Sequence, residues 1–249
     1  MKHGGTTLVL AGAREAHGVV AGLAESGETV IASLPEPERG VPPLPVSVRQ
    51  GRFSGEDEMR AWMGAQDVRR VLDASHSFDD DISNMAAEIC RADGMPYLRI
   101  LRDGWMHTAA DRWSRFATIS EAVRTVPQDA RIFSNTGFGS LRHYADFPGQ
   151  RLFLRQTGQA EATPPWPFVT IVAGQPPFSE AQERDLFTEL AITGLICRDV
   201  GGPASFSKLA AARALGLPVL MINRPDPPPD VTLASTVAEA LAWQAACPT

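Results

Sequence analysis

Short runs of β-branched and other apolar residues recur along this chain, and each leads through a small or polar residue into a helical pattern. The first run extends from Thr7 to Gly12 and precedes a predicted helix from Ala16 to Ser26, which Gly27 ends. Strands that alternate with helices pair in parallel, because a parallel strand can be reached only through a crossover connection. The repeated pattern therefore predicts the α/β class with parallel sheets.

The same pattern continues through the second half of the chain and divides it into two similar halves. Further strands are predicted at residues 29–32, 46–48, 70–74, 97–101, 130–134, 151–154, 168–172, 194–197 and 219–222. Further helices are predicted at residues 81–92, 120–126, 180–190, 205–215 and 237–246. The segment from Asp103 to Asp129 has two Trp residues and scattered charge, which is typical of a connection between domains. We therefore expect domains at 1–112 and 113–249, with the last helix able to pack on either half.

Composition limits the kinds of partner. The 23 Lys and Arg residues against 29 Asp and Glu give a formal net charge of −6, which argues against broad nucleic-acid binding. Cys90, Cys197 and Cys247 form no metal-binding or disulfide motif, so we expect no metal site and a reducing, cytoplasmic environment. No apolar stretch approaches the roughly 20 residues that span a bilayer, so no membrane partner is expected.

The turn after the first predicted strand is built from small residues. Gly12 and Ala13 precede Arg14 and Glu15 at the start of the predicted helix, where backbone amides are able to meet a phosphate. The turn is not G-x-G-x-x-G, and small residues serve close helix packing equally well. Arg14 either pairs with a phosphate or lies on a solvated face.

A polar cluster follows the strand at 70–74, where ligands of parallel sheets bind. It contains Ser75 and His76, with Ser83 and Asn84 on the next predicted helix. A lone His in such a place is more often a hydrogen-bonded structural residue than a catalyst. The two residues on the helix equally suit bonds to neighbouring backbone groups.

Cationic and aromatic residues follow the strand at 97–101. Arg99, Arg102 and Trp105 suit an anionic ligand with a flat conjugated body, because Arg binds carboxylates and indole stacks on π faces. A surface salt bridge beside a core Trp explains them equally well.

In the second half of the chain, Thr136 and Gly137 follow a predicted strand and suit a phosphate. Lys208 lies on a predicted helix, and most lysines in that position are solvated.

Three common catalytic motifs are absent from the sequence: the G-x-S-x-G elbow, the P-loop and H-E-x-x-H. A chain without such a nucleophile or metal motif relies on a cofactor for difficult chemistry.

In their order along the chain, these segments resemble the precorrin-6A reductases of cobalamin biosynthesis. The resemblance covers the Gly12 to Glu15 turn, the Asp73 to Phe78 segment with Ser83 and Asn84, the Pro96 to Arg99 segment with Arg102 and Trp105, and Thr136-Gly137. It continues through Gly201-Gly202, Lys208, Leu215-Gly216, Pro218-Val219 and Arg224-Pro225. The sequence departs from the family pattern at Ala13, at Ser77 after His76, and at Arg198-Asp199-Val200.

The resemblance implies two Rossmann-like domains with parallel sheets that face a central cleft. It implies an oxidoreductase that uses NADPH to reduce one macrocycle double bond of the anionic tetrapyrrole precorrin-6A, which gives precorrin-6B. The residues then expected at the cofactor are Gly12, Arg14, Glu15, Ser75, His76, Thr136 and Gly137. Those expected at the substrate are Tyr97, Arg99, Arg102, Trp105 and Lys208. The proton donor, the 2′-phosphate pocket, the oligomeric state and hand-over to neighbouring pathway enzymes stay open.

Two other functions are compatible with the same two halves. A cofactor-free tetrapyrrole enzyme that resembles uroporphyrinogen-III synthase also has two linked α/β domains around a cleft. A non-catalytic dinucleotide-sensing protein would keep the Rossmann-like halves and use the ligand for regulation only. NADPH binding separates the first of these from a reductase, and tetrapyrrole-dependent NADPH consumption separates the second.

Overall fold

The computed structural model of the chain describes residues 5–36, 42–157 and 163–247. It divides into two compact units, of which the first comprises Met1–Asp103 with Pro225–Thr249 and the second comprises Gly104–Arg224. Each unit is built around a six-stranded sheet, and the strand pairings of both sheets are parallel. The predicted α/β class with two Rossmann-like parallel sheets is confirmed.

The first unit begins with alternating strands and helices. Its elements are β1 (Thr6–Ala11), α1 (Glu15–Glu25), β2 (Val30–Leu34), β3 (Ser47–Gln50), α2 (Glu56–Ala65), β4 (Val68–Ala74), α3 (Asp80–Ala92) and β5 (Tyr97–Ile100). Every residue of β1 is buried, as a central parallel strand with helices on both faces requires. Separate hydrophobic clusters, one around Val9 and one around Leu8, account for this burial.

The second unit follows the same alternation, with two short 3₁₀ helices at Phe138–Tyr144 and Pro203–Ser205. Its other elements are β6 (Arg112–Phe116), α4 (Ile119–Arg124), β7 (Arg131–Ser134), β8 (Arg151–Thr157), β9 (Val169–Gly174), α5 (Glu180–Glu189), β10 (Gly194–Arg198), α6 (Ser207–Ala214) and β11 (Pro218–Ile222).

The edge strands of the two sheets come from unexpected parts of the chain. After β11 the chain returns to the first unit as β12 (Thr232–Ala234) and α7 (Val237–Ala246). The first sheet has the order β3-β2-β1-β4-β5-β12, which is the doubly wound Rossmann order. The second has the order β9-β8-β7-β10-β11-β6, so its sixth position is filled by the strand that precedes the other five. The two sheets therefore exchange their sixth strands. β6 follows β1–β5 in sequence but pairs in the second sheet, and β12 follows β7–β11 but pairs in the first sheet.

The two edge segments, β6-α4 and β12-α7, are built alike. Thr118 accepts a hydrogen bond from the Glu121 backbone N–H at 3.1 Å, and Thr236 accepts one from the Glu239 N–H at 3.2 Å. Both helices therefore begin with a Thr-x-x-Glu cap, in which the glutamate accepts a bond from the residue before the threonine. The segments are equivalent pieces of structure that fill the same position of each sheet.

The observed division differs from the predicted domains at 1–112 and 113–249. The first of the two segments that form the first unit ends at Asp103 instead of residue 112. The second segment, Pro225–Thr249, belongs to the first unit instead of the second. The last helix packs on α1, because Gly18 and Gly22 present no side chain there. A Cβ atom at Gly22 would lie 2.5 Å from Cδ1 of Leu241, and one at Gly18 would lie 3.1 Å from Cγ2 of Val237. Among the described residues, no helix is long and apolar enough to cross a membrane.

Candidate functional site

Each sheet has one point where the strand order reverses direction. In the first sheet β1 and β4 are neighbours, and the chain proceeds outward from β1 through β2 to β3 and from β4 to β5. In the second sheet β7 and β10 occupy the equivalent positions. Connections that leave two neighbouring strands in opposite directions open a crevice at their carboxyl ends, which is where ligands of open α/β sheets bind.

At the reversal in the first sheet, the turn after β1 touches the loop after β4. A Cβ atom added to Gly12 would lie 3.0 Å from the His76 backbone nitrogen and 3.5 Å from Cα of Ser75. The Ala13 N–H donates to the Ala74 carbonyl at 2.9 Å. Gly12 is therefore required by the close approach of two backbones at the place where a ligand would bind.

The amino terminus of α1 opens onto the same turn. Arg14 is the exposed residue before α1, and Glu15 is the first residue of the helix. Arg102, which follows β5, places Nη1 3.0 Å from Oε1 of Glu15. The Glu15 carboxylate stabilises the amino terminus of the helix but would repel an anionic ligand bound there. The Arg102 guanidinium beside it offsets that repulsion.

Asp73 is the centre of a buried hydrogen-bond network below this turn. Its carboxylate accepts bonds from the Tyr97 hydroxyl at 2.6 Å, from Arg99 Nη1 at 2.9 Å and from the Ser75 N–H at 2.9 Å. Arg99 Nη1 also donates to the Ser75 carbonyl at 3.1 Å, and Nη2 donates to the His76 carbonyl at 3.3 Å. Burial raises the pKa of Tyr97, and the charge and hydrogen bond of Asp73 raise it further, so the hydroxyl stays protonated. These side chains hold the loop that carries Ser75 and His76.

At the reversal in the second sheet, hydroxyl groups replace the charged network. Thr136 Oγ1 lies 2.7 Å from Oγ of Ser140 and 3.0 Å from the hydroxyl of Tyr144, which lies 2.7 Å from Oγ of Ser134. Burial raises the pKa of Tyr144 to about 12. Gly137 follows with a φ of +82°, and a Cβ there would meet no atom within 4 Å. The backbone at Gly137 therefore borders open space that a ligand can enter.

A second buried aspartate supports the loop after β10. Asp199 accepts bonds from the Trp105 N–H at 3.0 Å and from Arg115 Nη1 at 2.9 Å. The Trp105 indole N–H donates to the Gly202 carbonyl at 2.7 Å, and its ring packs edge-on against Phe206. Trp105 is therefore a buried support of the Gly201-Gly202 loop.

Each unit has a cavity at the carboxyl ends of three strands, which are β1, β2 and β3 in the first unit and β7, β8 and β9 in the second. The cavity of the first unit has a volume of about 440 Å³ and includes Ala11, Ser33 and Ser75 in its lining. The cavity of the second unit has a volume of about 330 Å³ and includes Gly137 and Lys208. Lys208 is buried, and this burial lowers its pKa.

The predicted cofactor residues lie at the two sheet reversals. Gly12, Arg14, Glu15, Ser75 and His76 share the first, and Thr136 and Gly137 share the second. The backbones of Gly12 and Gly137 are accessible there, whereas the Thr136 hydroxyl is buried against its neighbours. Contact of these residues with a cofactor stays a prediction.

The predicted substrate residues are mostly internal. Tyr97, Arg99, Trp105 and Lys208 are all buried, and only Arg102 keeps a substantial exposed fraction, at 22% of its side chain. Arg99 and Trp105 are occupied in holding loops, so the geometry gives them a supporting position instead of a surface that faces a ligand. Tyr97 holds Asp73 but also lines a cavity of the first unit beside Asn84 and Val231, and Lys208 lines the cavity of the second unit.

The sequence reasoning did not select three residues that the structure makes prominent: Asp73, Asp199 and Arg155. Each lies near or just after the carboxyl end of a strand. A charged residue next to the apolar residues at the end of a strand is a usable signal, because an unpaired buried charge is too costly to leave without a partner. That signal identifies a network and does not identify its ligand.

Comparison with known proteins gives one consistent result. The sequence model of the family described as "Precorrin-6x reductase CbiJ/CobK" matches residues 6–245. The chain is 34% identical over 239 residues to a precorrin-6A reductase of Rhodococcus erythropolis, covering 95% of this chain and 96% of that protein. It is 30% identical over 239 residues to a precorrin-6A reductase of Rhodobacter capsulatus, covering 96% and 95% respectively.

A solved structure described as "CobK precorrin-6A reductase" has the same fold. It superposes with a TM-score of 0.88 at 30% identity and covers 99% of this chain and 97% of its own. The edge strands β6 and β12, which the sequence did not predict, therefore belong to a fold that is found among solved structures.

Proposed function

The chain belongs to the precorrin-6x reductase family, and on that premise we propose that it is a cobalamin-biosynthesis enzyme that reduces precorrin-6A to precorrin-6B with NADPH. The observation that carries the cofactor part of this proposal is the approach of Gly12 to the His76 backbone at the reversal of the first sheet. A dinucleotide fold needs a residue without a Cβ in that turn, because the backbone must come close to the pyrophosphate and to the neighbouring loop.

The described residues of the second unit, taken by themselves, also fit a polar ligand in two respects. The backbone at Gly137 borders open space. In the second unit, buried polar atoms of Asn135, Arg155 and Gln156 have no hydrogen-bond partner, and all three residues line the cavity. Unpaired buried polar atoms are costly, and a polar ligand would satisfy them.

In the proposed reaction NADPH, when bound, supplies a hydride to one carbon of the macrocycle. A proton completes the addition, so the product has two more hydrogens than the substrate. The contribution of the protein is to position the ligands, which converts an encounter between two molecules into a reaction between held groups. The chain needs no covalent nucleophile for this chemistry.

We assign the network around Asp73 a positioning role in this reaction. Tyr97 and Arg99 hold the carboxylate, and Arg99 also holds the carbonyls of Ser75 and His76. The loop is then presented to the ligand in one conformation. Arg102 supplies a cation at the start of α1, where it pairs with Glu15 and reduces the negative charge that a phosphate or carboxylate would meet.

The test is an anaerobic assay that follows nicotinamide absorbance with and without precorrin-6A and identifies the product by mass. We expect NADPH oxidation only when tetrapyrrole is present, in a one-to-one ratio with a product that has gained two hydrogens. Tetrapyrrole conversion without nicotinamide would indicate a cofactor-free enzyme and overturn the proposal. Tight NADPH binding without any oxidation in the presence of precorrin-6A would overturn it in favour of a sensor.

A further inference from the structure

Lysine is nearly absent from this chain. Of its 23 Lys and Arg residues, only Lys2 and Lys208 are lysines, and the remainder are arginines. The two side chains differ in one respect that matters inside a protein: an ammonium group loses its proton readily when it is buried, whereas a guanidinium stays charged. A buried lysine in a chain that otherwise uses arginine therefore indicates a use for the amine itself.

Lys208 occupies such a buried position. Only 5% of the residue is exposed, and it lines the cavity of the second unit. Its Nζ donates to the Ser205 carbonyl and lies 5.1 Å from the ring centre of Trp105. The Glu183 carboxylate of the same cavity pairs with Arg155, and among the described residues no carboxylate accepts a hydrogen bond from Nζ. A buried charge without a counter-ion is costly, so the surroundings favour the neutral amine.

The titratable and charged groups around Lys208 come from three neighbouring elements. Burial lowers the pKa of its ammonium group, Cys197 on β10 and Glu183 on α5 raise the pKa, and Arg155 on β8 lowers it. Burial outweighs the other effects, so the neutral amine is more populated than in a solvated lysine. A desolvated lysine beside another cation is a known form of the amine that attacks carbonyl carbons.

Arg155 is the second functional group of this cavity, and it is held in one orientation. Its Nη2 donates to Oε2 of Glu183 at 2.8 Å, and its guanidinium carbon lies 4.0 Å from the ring centre of Phe178. Its Nε has no hydrogen-bond partner, although the residue is buried and lines the cavity. The pair with Glu183 therefore fixes the guanidinium plane and leaves one buried donor for a ligand.

The corresponding cavity of the first unit contains no amine. Its charged lining residues are Arg52, Asp79 and Asp81. The combination of an amine with a guanidinium is therefore a property of the side chains of the second unit and not of the fold that both units share.

The two groups together specify a class of ligand. A neutral amine reacts with an aldehyde, and a guanidinium forms charge-assisted hydrogen bonds with a carboxylate or a phosphate. The cavity has a volume of about 330 Å³, which accommodates a small molecule. A small aldehyde that carries an anionic group has both of the features that this cavity recognises.

We propose that Lys208 is a carbonyl-reactive amine that forms an imine with a small anionic aldehyde in the cavity of the second unit, and that Arg155 binds the anionic group. The electron pair of Nζ attacks the carbonyl carbon and forms a C–N bond, and the carbonyl oxygen leaves as water when the C=N bond forms. Nothing is oxidised or reduced in this step. The reaction needs neither a dinucleotide nor a tetrapyrrole, so it is independent of the proposed function.

The test uses two aldehydes that differ in one group, succinic semialdehyde and butanal, of which only the first carries a carboxylate. Each is incubated with the whole chain and with free Nα-acetyllysine as a reference amine, and cyanoborohydride traps the imine for peptide mapping by mass. Lys208 should react with succinic semialdehyde at least about tenfold faster than the reference, because each unit by which a pKa is lowered gives about tenfold more neutral amine. It should prefer succinic semialdehyde over butanal by about tenfold or more, as a charge-assisted bond provides.

Two variants test the role of Arg155. Arg155→Met combined with Glu183→Gln avoids a lone buried carboxylate, and thermal unfolding verifies that it is folded. This variant should lose the preference for succinic semialdehyde, and the ratio of the two aldehydes cancels any change in the reactivity of the amine. Arg151→Met removes an Arg from the other end of the same strand, where it donates to the Pro167 carbonyl at 2.9 Å, and it should keep the preference.

The wild type alone is sufficient to overturn the proposal. If Lys208 reacted no faster than Nα-acetyllysine, or reacted equally with both aldehydes, the cavity would not be a site for an anionic aldehyde. A preference that survives in the folded Arg155 variant would also overturn it. Fast labelling of Lys208 with a preference that the variant loses supports it, whether or not the chain reduces precorrin-6A.

Discussion

Arg99 and Asp73 are register partners on the neighbouring strands β5 and β4, and Nη1 of Arg99 lies 2.9 Å from Oδ1 of Asp73. Only 3% of Arg99 and none of Asp73 are exposed. The same arginine donates to the Ser75 and His76 carbonyls, so a single buried ion pair connects the sheet to the loop at the candidate ligand site. Its position is determined by the pairing of β4 with β5.

Removal of Arg99 should destabilise the protein far more than removal of Arg102. Arg99→Met leaves the Asp73 carboxylate buried without its cation, which typically costs about 3–5 kcal/mol. Arg102→Met removes a partly exposed partner of Glu15, for which about 0–1 kcal/mol is expected. Urea denaturation of both variants measures the difference. Equal stability losses would contradict the buried position of the Arg99 pair.

Gly12→Ala should weaken dinucleotide binding. The new Cβ would lie 3.0 Å from the His76 backbone nitrogen, so one of the two loops must shift. Overpacking of this kind typically costs about 1–3 kcal/mol, and we expect NADP⁺ affinity to fall at least about tenfold. The measurement is a calorimetric titration with NADP⁺.

The matched control for that variant is Gly64→Ala. Gly64 lies in α2, where a Cβ would meet nothing within 4 Å. Alanine there should leave NADP⁺ affinity unchanged and raise stability by up to about 1 kcal/mol, because glycine is a poor helix former. Unchanged affinity in Gly12→Ala would show that the turn after β1 is not part of the dinucleotide site.

Asp111 should contribute stability that disappears in acid. Burial alone raises the pKa of its carboxyl, but hydrogen bonds from Arg213 and Thr108 outweigh burial and hold the pKa below its ordinary value. A depressed folded pKa means that the stabilisation is present above the unfolded pKa, about 3.9, and is lost as the pH falls through the folded pKa. Asp111→Asn should therefore lower the free energy of unfolding by about 1 kcal/mol at neutral pH, with a difference from wild type that narrows below about pH 4.

Denaturant unfolding between neutral and acidic pH measures this difference. Asp129→Asn, at an exposed position of the same unit, should match the wild type throughout. If the difference in free energy of unfolding between Asp111→Asn and wild type stayed constant into strong acid, the ionised carboxylate of Asp111 would not be the source of the stabilisation.

Most of the architecture was predictable from sequence periodicity. The predicted strand at 219–222 and helix at 237–246 coincide closely with β11 (Pro218–Ile222) and α7 (Val237–Ala246), because their apolar residues follow the period of the element. Both β6 and β12 were missed for a physical reason: they are edge strands with mostly exposed or half-exposed residues, so neither has a buried strand pattern. The placement of β6 in the second sheet and of β12 in the first sheet was not predictable, because periodicity does not determine which strands pair.

The candidate site was predictable in position but not in the direction of its side chains. The loops after β1, β4 and β7 were selected only because they follow strands, and the structure places all three where the sheets reverse. Arg99 and Trp105 follow the same logic in sequence, yet the Arg99 side chain points into the network around Asp73. Trp105 donates to Asp199 through its backbone N–H and to the Gly202 carbonyl through its buried indole. A cation near a strand end pairs with whichever carboxylate the register brings opposite, and the register is a tertiary property.

The proposed function requires that hydride passes from the nicotinamide to the macrocycle on this chain, and isotope transfer tests this most directly. The reaction is run anaerobically with precorrin-6A and NADPH carrying deuterium at C4 of the nicotinamide, prepared separately for each face of the ring. We expect the tetrapyrrole product of one preparation to contain one deuterium and that of the other to contain none, with both products two hydrogens richer than the substrate. A reduced product that carries no deuterium from either preparation would contradict the claim.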